Sequence, residues 1–121
     1  VGLDLSLLVV DGDTPGVTYS HSMLACDHDG ELFARVLHEE ETGGTVIEPT
    51  FHSFRSRDDT YEESHYGVTT ETAYGEPLKW VFARDLVECF ESSDGLSSWN
   101  AAVRAFLQHL HPTTRVALFW R

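Results

Sequence analysis

Residues 97–121, SSWNAAVRAFLQHLHPTTRVALFWR, place a helix signal and a strand signal back to back, and the rest of the chain is read outward from them. Trp99, Ala102, Val103, Phe106, Leu107 and Leu110 recur at i, i+3, i+4, i+7, i+8 and i+11, the period of one apolar helix face. Ser97 or Ser98 supplies the N-cap, a side-chain oxygen able to accept from the free N–H groups of the first turn. Asn100, Arg104 and Gln108 fall on the other side and are expected in solvent. Pro112 cannot continue the helix. After the turn His111-Pro112-Thr113-Thr114, the run Val116-Ala117-Leu118-Phe119-Trp120 is apolar on both alternating faces, which describes a strand in the interior of a sheet.

At the other end, Leu3, Leu5, Leu7 and Val9 alternate with Asp4 and Ser6 and predict a second interior or near-interior strand. Asp11-Gly12-Asp13-Thr14-Pro15-Gly16 has turn composition. Asp29 is placed to cap a helix carrying Leu32, Phe33, Val36 and Leu37, which should end before Gly43-Gly44. Strands are expected between Thr45 and Arg57, where Pro49 argues for an edge or a bulge and Phe51 and Phe54 take opposite faces, and between Tyr66 and Ala73, on Val68, Thr70 and Thr72. Leu78, Trp80 and Phe82 alternate as a further strand, and Leu86, Val87 and Phe90 fit a short helix closing near Ser92-Ser93-Asp94-Gly95. The order β-α-β-β-β-α-α-β, with consecutive strands in the middle, predicts an α+β fold: a mostly antiparallel sheet of about five strands with two or three helices packed on one side.

At 121 residues the chain fits one domain over 1–121, and 41% hydrophobic residues with 12% aromatics suffice for a core. Cys26 and Cys89 are far apart, and a domain of this size needs no disulfide, so buried free thiols are expected. No Lys or Arg precedes Arg35, and no apolar run approaches the length of a membrane span, so a cytoplasmic protein without a membrane partner is expected.

Charge excludes more. Twenty Asp and Glu against eight Lys and Arg give a formal net charge of −12. A phosphate backbone is bound by clustered Lys and Arg, which this chain lacks, so nucleic acid is disfavoured. The complementary partner is a basic protein.

The motifs for chemistry are weak. Cys26 and His28 are one residue apart and Cys89 has no nearby ligand, unlike the paired spacing of structural zinc, and neither a metal nor a cofactor is expected. His109 and His111 straddle a helix end. Asp11-Gly12-Asp13 lacks the remaining oxygen ligands of a calcium loop. A Cys26 nucleophile with His21 or His28 as base would be opposed by neighbouring Asp27, Asp29 and Glu31, which raise a thiol's pKa. Serine and histidine adjacent in sequence, as in Ser64-His65, point opposite ways on a strand.

One segment stands out. From Asp58 to Leu78 the chain carries Asp58, Asp59, Glu62, Glu63, Glu71 and Glu76 with no Lys or Arg. The plain reading is a solvated loop. The functional reading is an acidic docking surface on Asp58, Asp59, Tyr61, Glu62, Glu63, His65 and Tyr66, because tyrosine set among carboxylates suits an interface with a basic partner. Glu39-Glu40-Glu41 is a second acidic group, oddly set where a helix should end, since carboxylates are unfavourable beside a C-terminus.

The chain is therefore expected to be a non-catalytic acidic protein-binding domain. In size and charge alone it resembles bacterial immunity proteins, inhibitors that neutralise a basic partner such as a toxin nuclease. The alternative is a small enzyme or ligand-binding domain, with a pocket between sheet and helices lined by Trp80, Trp99 or Trp120 and His52 or His65. A homo-oligomer joined through an apolar edge strand is a third expectation.

Overall fold

The strand that is apolar on both faces lies in the middle of a sheet, where both faces are covered. In a computed structural model, which describes residues 3–10, 24–46, 55–59, 64–68 and 71–121, the elements in chain order are β1 (Leu5–Val10), β2 (Leu24–Ala25), α1 (Gly30–Gly43), β3 (Thr45–Val46), β4 (Arg55–Asp59), β5 (Ser64–Val68), β6 (Lys79–Phe82), α2 (Ala83–Ser92), α3 (Ser98–Gln108) and β7 (Arg115–Trp120). Five strands form an antiparallel sheet in the order β2-β1-β7-β6-β3, and β4 with β5 forms a separate two-stranded sheet. The fold is α+β, as the sequence predicts. No helix among the described residues is long and apolar enough to cross a membrane.

Strand alternation sorts the side chains of the main sheet into two cores. Leu5 and Leu7 of β1, Val81 of β6 and Val116, Leu118 and Trp120 of β7 are buried with Leu32, Phe33 and Val36 of α1, Leu86 and Phe90 of α2, and Val103 and Leu107 of α3. Three helices thus cover one face. Leu8, Leu78 and Ala117 form a small second core on the reverse face, with Trp80 and Phe119 packed against it. The alternating set Leu78, Trp80 and Phe82 belongs to this reverse face. On β6 it is Val81 that meets the helices.

Each helix ends for a local reason. The Asp29 side chain accepts from the Leu32 N–H at 3.1 Å and caps α1. At its far end the Gly44 N–H donates to the Glu40 carbonyl, and a Cβ on Gly44 would come within 2.5 Å of that oxygen, so only glycine closes the turn this tightly. α2 follows β6 without a linker and has no side-chain cap. Its first N–H groups, those of Ala83 and Arg84, instead donate to the carbonyls of Thr114 and Pro112.

Three expectations change. The strand expected over 45–57 is two strands in two sheets, β3 at an edge of the main sheet and β4 in the hairpin, while Pro49, Phe51 and Phe54 lie outside the described residues. The strand expected over 66–73 begins earlier, at Ser64, and Thr72 is a turn residue whose hydroxyl accepts backbone N–H groups. β2 has no counterpart in the sequence reading, because two residues are too few to show a period.

The largest correction concerns α3. Its buried residues are Asn100, Val103 and Leu107, whereas Trp99 and Phe106 are 48% and 44% exposed. The helix is rotated away from its widest apolar stripe. Asn100 causes this: its Oδ1 accepts from the Asp27 N–H at 2.8 Å and its Nδ2 donates to the Asp27 carbonyl at 3.0 Å, so the amide completes both backbone groups of a residue far away in sequence. Ser97 caps the helix through the Asn100 N–H and also donates to Asp27 Oδ2 at 2.7 Å.

Candidate protein-docking surface

Among the described residues, part of the acidic segment lies in paired strands. Asp58 and Asp59 end β4, and His65 and Tyr66 lie in β5; the register sets Asp58 opposite His65, Asp59 opposite Ser64 and Arg57 opposite Tyr66. At these positions the backbone is a strand pair rather than a loop, because an antiparallel ladder pairs the backbone whatever the side-chain charge. Tyr61, Glu62 and Glu63 lie outside the described residues.

Downstream, the same run of sequence forms a tightly bonded turn. The Thr72 hydroxyl accepts from the N–H groups of Tyr74 and Glu76 at 3.2 and 3.3 Å, the Thr72 N–H donates to the Glu76 carbonyl at 2.7 Å, and the Gly75 N–H donates to the Thr72 carbonyl at 3.0 Å. Gly75 takes φ +79°, which L side chains resist. Glu71 bridges Pro77, and the Ala73 N–H donates to the Trp120 carbonyl at 3.0 Å, so the turn is fastened to the end of β7. Tyr74 stands 53% exposed at its tip, and Glu71 and Glu76, on either side of it in sequence, are exposed as well.

The second acidic group meets this turn. Glu40, in the last turn of α1, is half-buried and accepts from Trp120 Nε1 at 3.3 Å. Burial raises its pKa above the ordinary carboxylate value, and the neighbouring charges of Glu76 and Glu41 add to the rise; the Trp120 hydrogen bond and Lys79 oppose it. Of the three carboxylates that looked misplaced at a helix end, Glu40 therefore has a local role, since it satisfies the indole of a buried tryptophan. Glu41, Glu76 and Lys79 all lie close enough to Glu40 to act on its charge, the two carboxylates against it and the lysine for it.

A shallow concavity of about 550 Å³ between α1 and α2 is lined by Arg35, His38, Glu39, Asp85, Glu88 and Cys89, among others. It brings a thiol and an imidazole to one groove, but the thiol is not activated. Burial first, then Glu39 and Glu88, push Cys89 up to about 11, and its Sγ lies 3.7 Å from the Arg35 carbonyl as a donor. Arg35 itself pairs with Glu31 at 3.2 Å. Cys26 is pushed up to about 12 by burial and then by Asp27. Both cysteines are free and buried.

Other candidates are scattered. Trp80 packs on the reverse face against Phe82, with Arg115 over its ring at 4.9 Å; Trp99 is on the outside of α3; Trp120 is in the main core, edge-on to Phe33. The three tryptophans do not line one pocket. His52 lies outside the described residues and His65 is in β5. His109 follows the last turn of α3, and His111 Nδ1 accepts from the Thr113 N–H at 3.2 Å. Among the described residues no three His, Cys, Asp or Glu side chains come together as metal ligands.

Sequence reasoning misses the Glu40–Trp120 contact, for which no signal exists because it joins residues 80 apart in the chain. The turn has its signal in the composition Tyr74-Gly75-Glu76-Pro77. No protein-family model, no curated protein and no solved structure matches this chain.

Proposed function

We propose that this chain is a non-catalytic protein-binding domain whose acidic surface engages and inhibits a basic protein partner, in the manner of an immunity protein acting on a cationic toxin nuclease in the cytoplasm. The observation that carries the reading is a turn fixed by five backbone and hydroxyl hydrogen bonds among Thr72, Ala73, Tyr74, Gly75, Glu76 and Trp120, which exposes Tyr74 and Glu76 and brings Glu76 close enough to Glu40 of α1 to act on its charge. A preorganised aromatic loses little entropy on binding, and carboxylates around it speed the approach of a cation. The net charge of −12 acts in the same direction at long range. Asp58, Asp59, Tyr61, Glu62, Glu63, His65 and Tyr66 belong to the proposed surface as its extension along the sequence.

Affinity capture from the source cell's lysate, at low and then moderate salt, tests this directly. A basic protein should be retained, released by salt, and bound more weakly by Tyr74→Ala by about 1–2 kcal/mol. Glu41→Lys, Glu71→Lys and Glu76→Lys together should reduce both its affinity and the salt dependence, at about 0.2–1 kcal/mol for each exposed charge. Recovery of no cationic partner, or a complex indifferent to these reversals and to Asp58→Lys with Asp59→Lys, overturns the proposal.

A further inference from the structure

We infer that the outward face of α3 is a self-association surface, on which a second copy of this chain docks across a two-fold axis. The inference is independent of the acidic surface and concerns the opposite kind of chemistry.

All 20 acidic residues precede Leu96; from Leu96 to Arg121 the chain has none. The exposed side of α3 therefore carries no carboxylate in a protein of charge −12. It carries Trp99, Ala102, Ala105 and Phe106 instead, all exposed and at i, i+3, i+6 and i+7. Asp27 and Glu91, which flank the helix, are hydrogen-bonded to Ser97 and Gln108. The Trp99 Nε1–H donates to the Ala25 carbonyl at 2.6 Å, so its one polar atom is satisfied internally and its ring is held in place. The stripe Trp99, Ala102, Ala105 and Phe106 is apolar, with exposed Ser98, Gln108 and His109 alongside it, and ordering it on binding costs little.

The occupant follows from charge and symmetry. A basic partner gains nothing from a face without carboxylates, whereas two copies of an acidic chain repel each other everywhere that carboxylates would meet. This face allows contact without such a meeting. An isologous interface must also match itself when the helix direction is reversed. Large aromatics at either end with alanines between satisfy that condition: in an antiparallel pair Trp99 stacks on the partner's Phe106, and the alanines let the helix axes approach closely. An 11-residue helix is only about 16 Å long, so the contact falls short of the roughly 1,200 Å² of a permanent interface and the dimer is a reversible one.

Sedimentation velocity of the full chain, from about 5 to about 500 µM and at about 50 and about 500 mM NaCl, provides the test. The dimer fraction should rise with concentration and rise again with salt, because screening weakens the repulsion between two −12 bodies while leaving apolar contact intact. Phe106→Glu should lower the association constant at least about tenfold. Ala102→Glu, at an exposed helix position, should do the same and decides the matter if Phe106→Glu fails to give the wild-type far-UV dichroism. The inference is overturned by a wild-type monomer at every concentration and salt, by a dimer that Ala102→Glu leaves intact, or by a dimer that salt dissociates.

Discussion

Two regions of this molecule tie together stretches of chain far apart in sequence, and they use different chemistry to do so. At the start of α3, Asn100 and Trp99 bond to backbone groups of Asp27 and Ala25. At the end of α1, the tie is a carboxylate, Glu40, accepting from the indole of Trp120 beside Glu76, Glu41 and Lys79. The first is a buried amide matched donor to acceptor with a peptide; it cannot ionise, so it should hold equally across pH and salt. The second places a half-buried charge among like charges, and its strength depends on whether that group is protonated. Structure is fixed by the first kind of contact, and the surface proposed to bind a partner grows around the second.

The comparison breaks most easily at Asn100. With the side chain truncated in Asn100→Ala, the Asp27 N–H and carbonyl each lose a partner and a small void opens in a site only 1% exposed. The expected loss is about 2–3 kcal/mol in urea unfolding at neutral pH. The loss should be the same at low and high salt. A salt-dependent loss would mean that the exposed Ser97–Asp27 contact, not the amide, holds this junction.

Trp120→Phe tests the other region at a smaller cost, about 1–2 kcal/mol. It keeps a ring against Phe33, now 5.7 Å from the tryptophan, but removes volume from the core and the N–H that Glu40 accepts. Unlike the Asn100 variant, this one should change how stability varies with pH. Parallel loss at all pH values would show that Trp120 acts by packing alone.

How much of this could be read in the sequence follows the same division. Val116–Trp120 was legible as an interior strand because apolarity on both faces has one structural meaning, and Asp29 and Ser97 were legible as caps because their function is satisfied within three residues. Periodicity proposed a stripe on α3 wide enough to be buried in two ways, and it could not choose. The choice is made by Asn100, which composition assigns to solvent and which is buried because its backbone partner lies 73 residues away. The Glu39–Glu41 triplet was legible as an anomaly and nothing more, since the indole that explains Glu40 is at the other end of the chain. The expected strands over 45–57 and 66–73 reached Arg57 and Tyr66, and clustered charge concealed only the continuation of the ladder through Asp58, Asp59, Ser64 and His65.

The finest distinction between the two regions is at Glu40 itself. Its pKa is raised in the fold, chiefly by burial, so the unfolded chain releases this proton at a lower pH than the native one does. The native state then binds more protons across the interval from the ordinary glutamate value up to the raised one, and stability falls as pH rises through it. The contribution is fully present below that interval and is lost above it. Glu40→Gln removes the titration while leaving an amide oxygen to accept from Trp120 Nε1. It should therefore stay within about 0.5 kcal/mol of wild type at neutral pH and, relative to wild type, lose less stability between weakly acidic and neutral conditions. In Trp120→Phe the hydrogen bond that favours the charged form is gone, so the pKa rises further and the same decline should steepen. Unfolding free energies of wild type and the two single variants across that pH range give both differences, with the other carboxylates cancelling in each subtraction. Coincident slopes for all three would show that the charge of Glu40 is as well solvated in the native state as in the unfolded one.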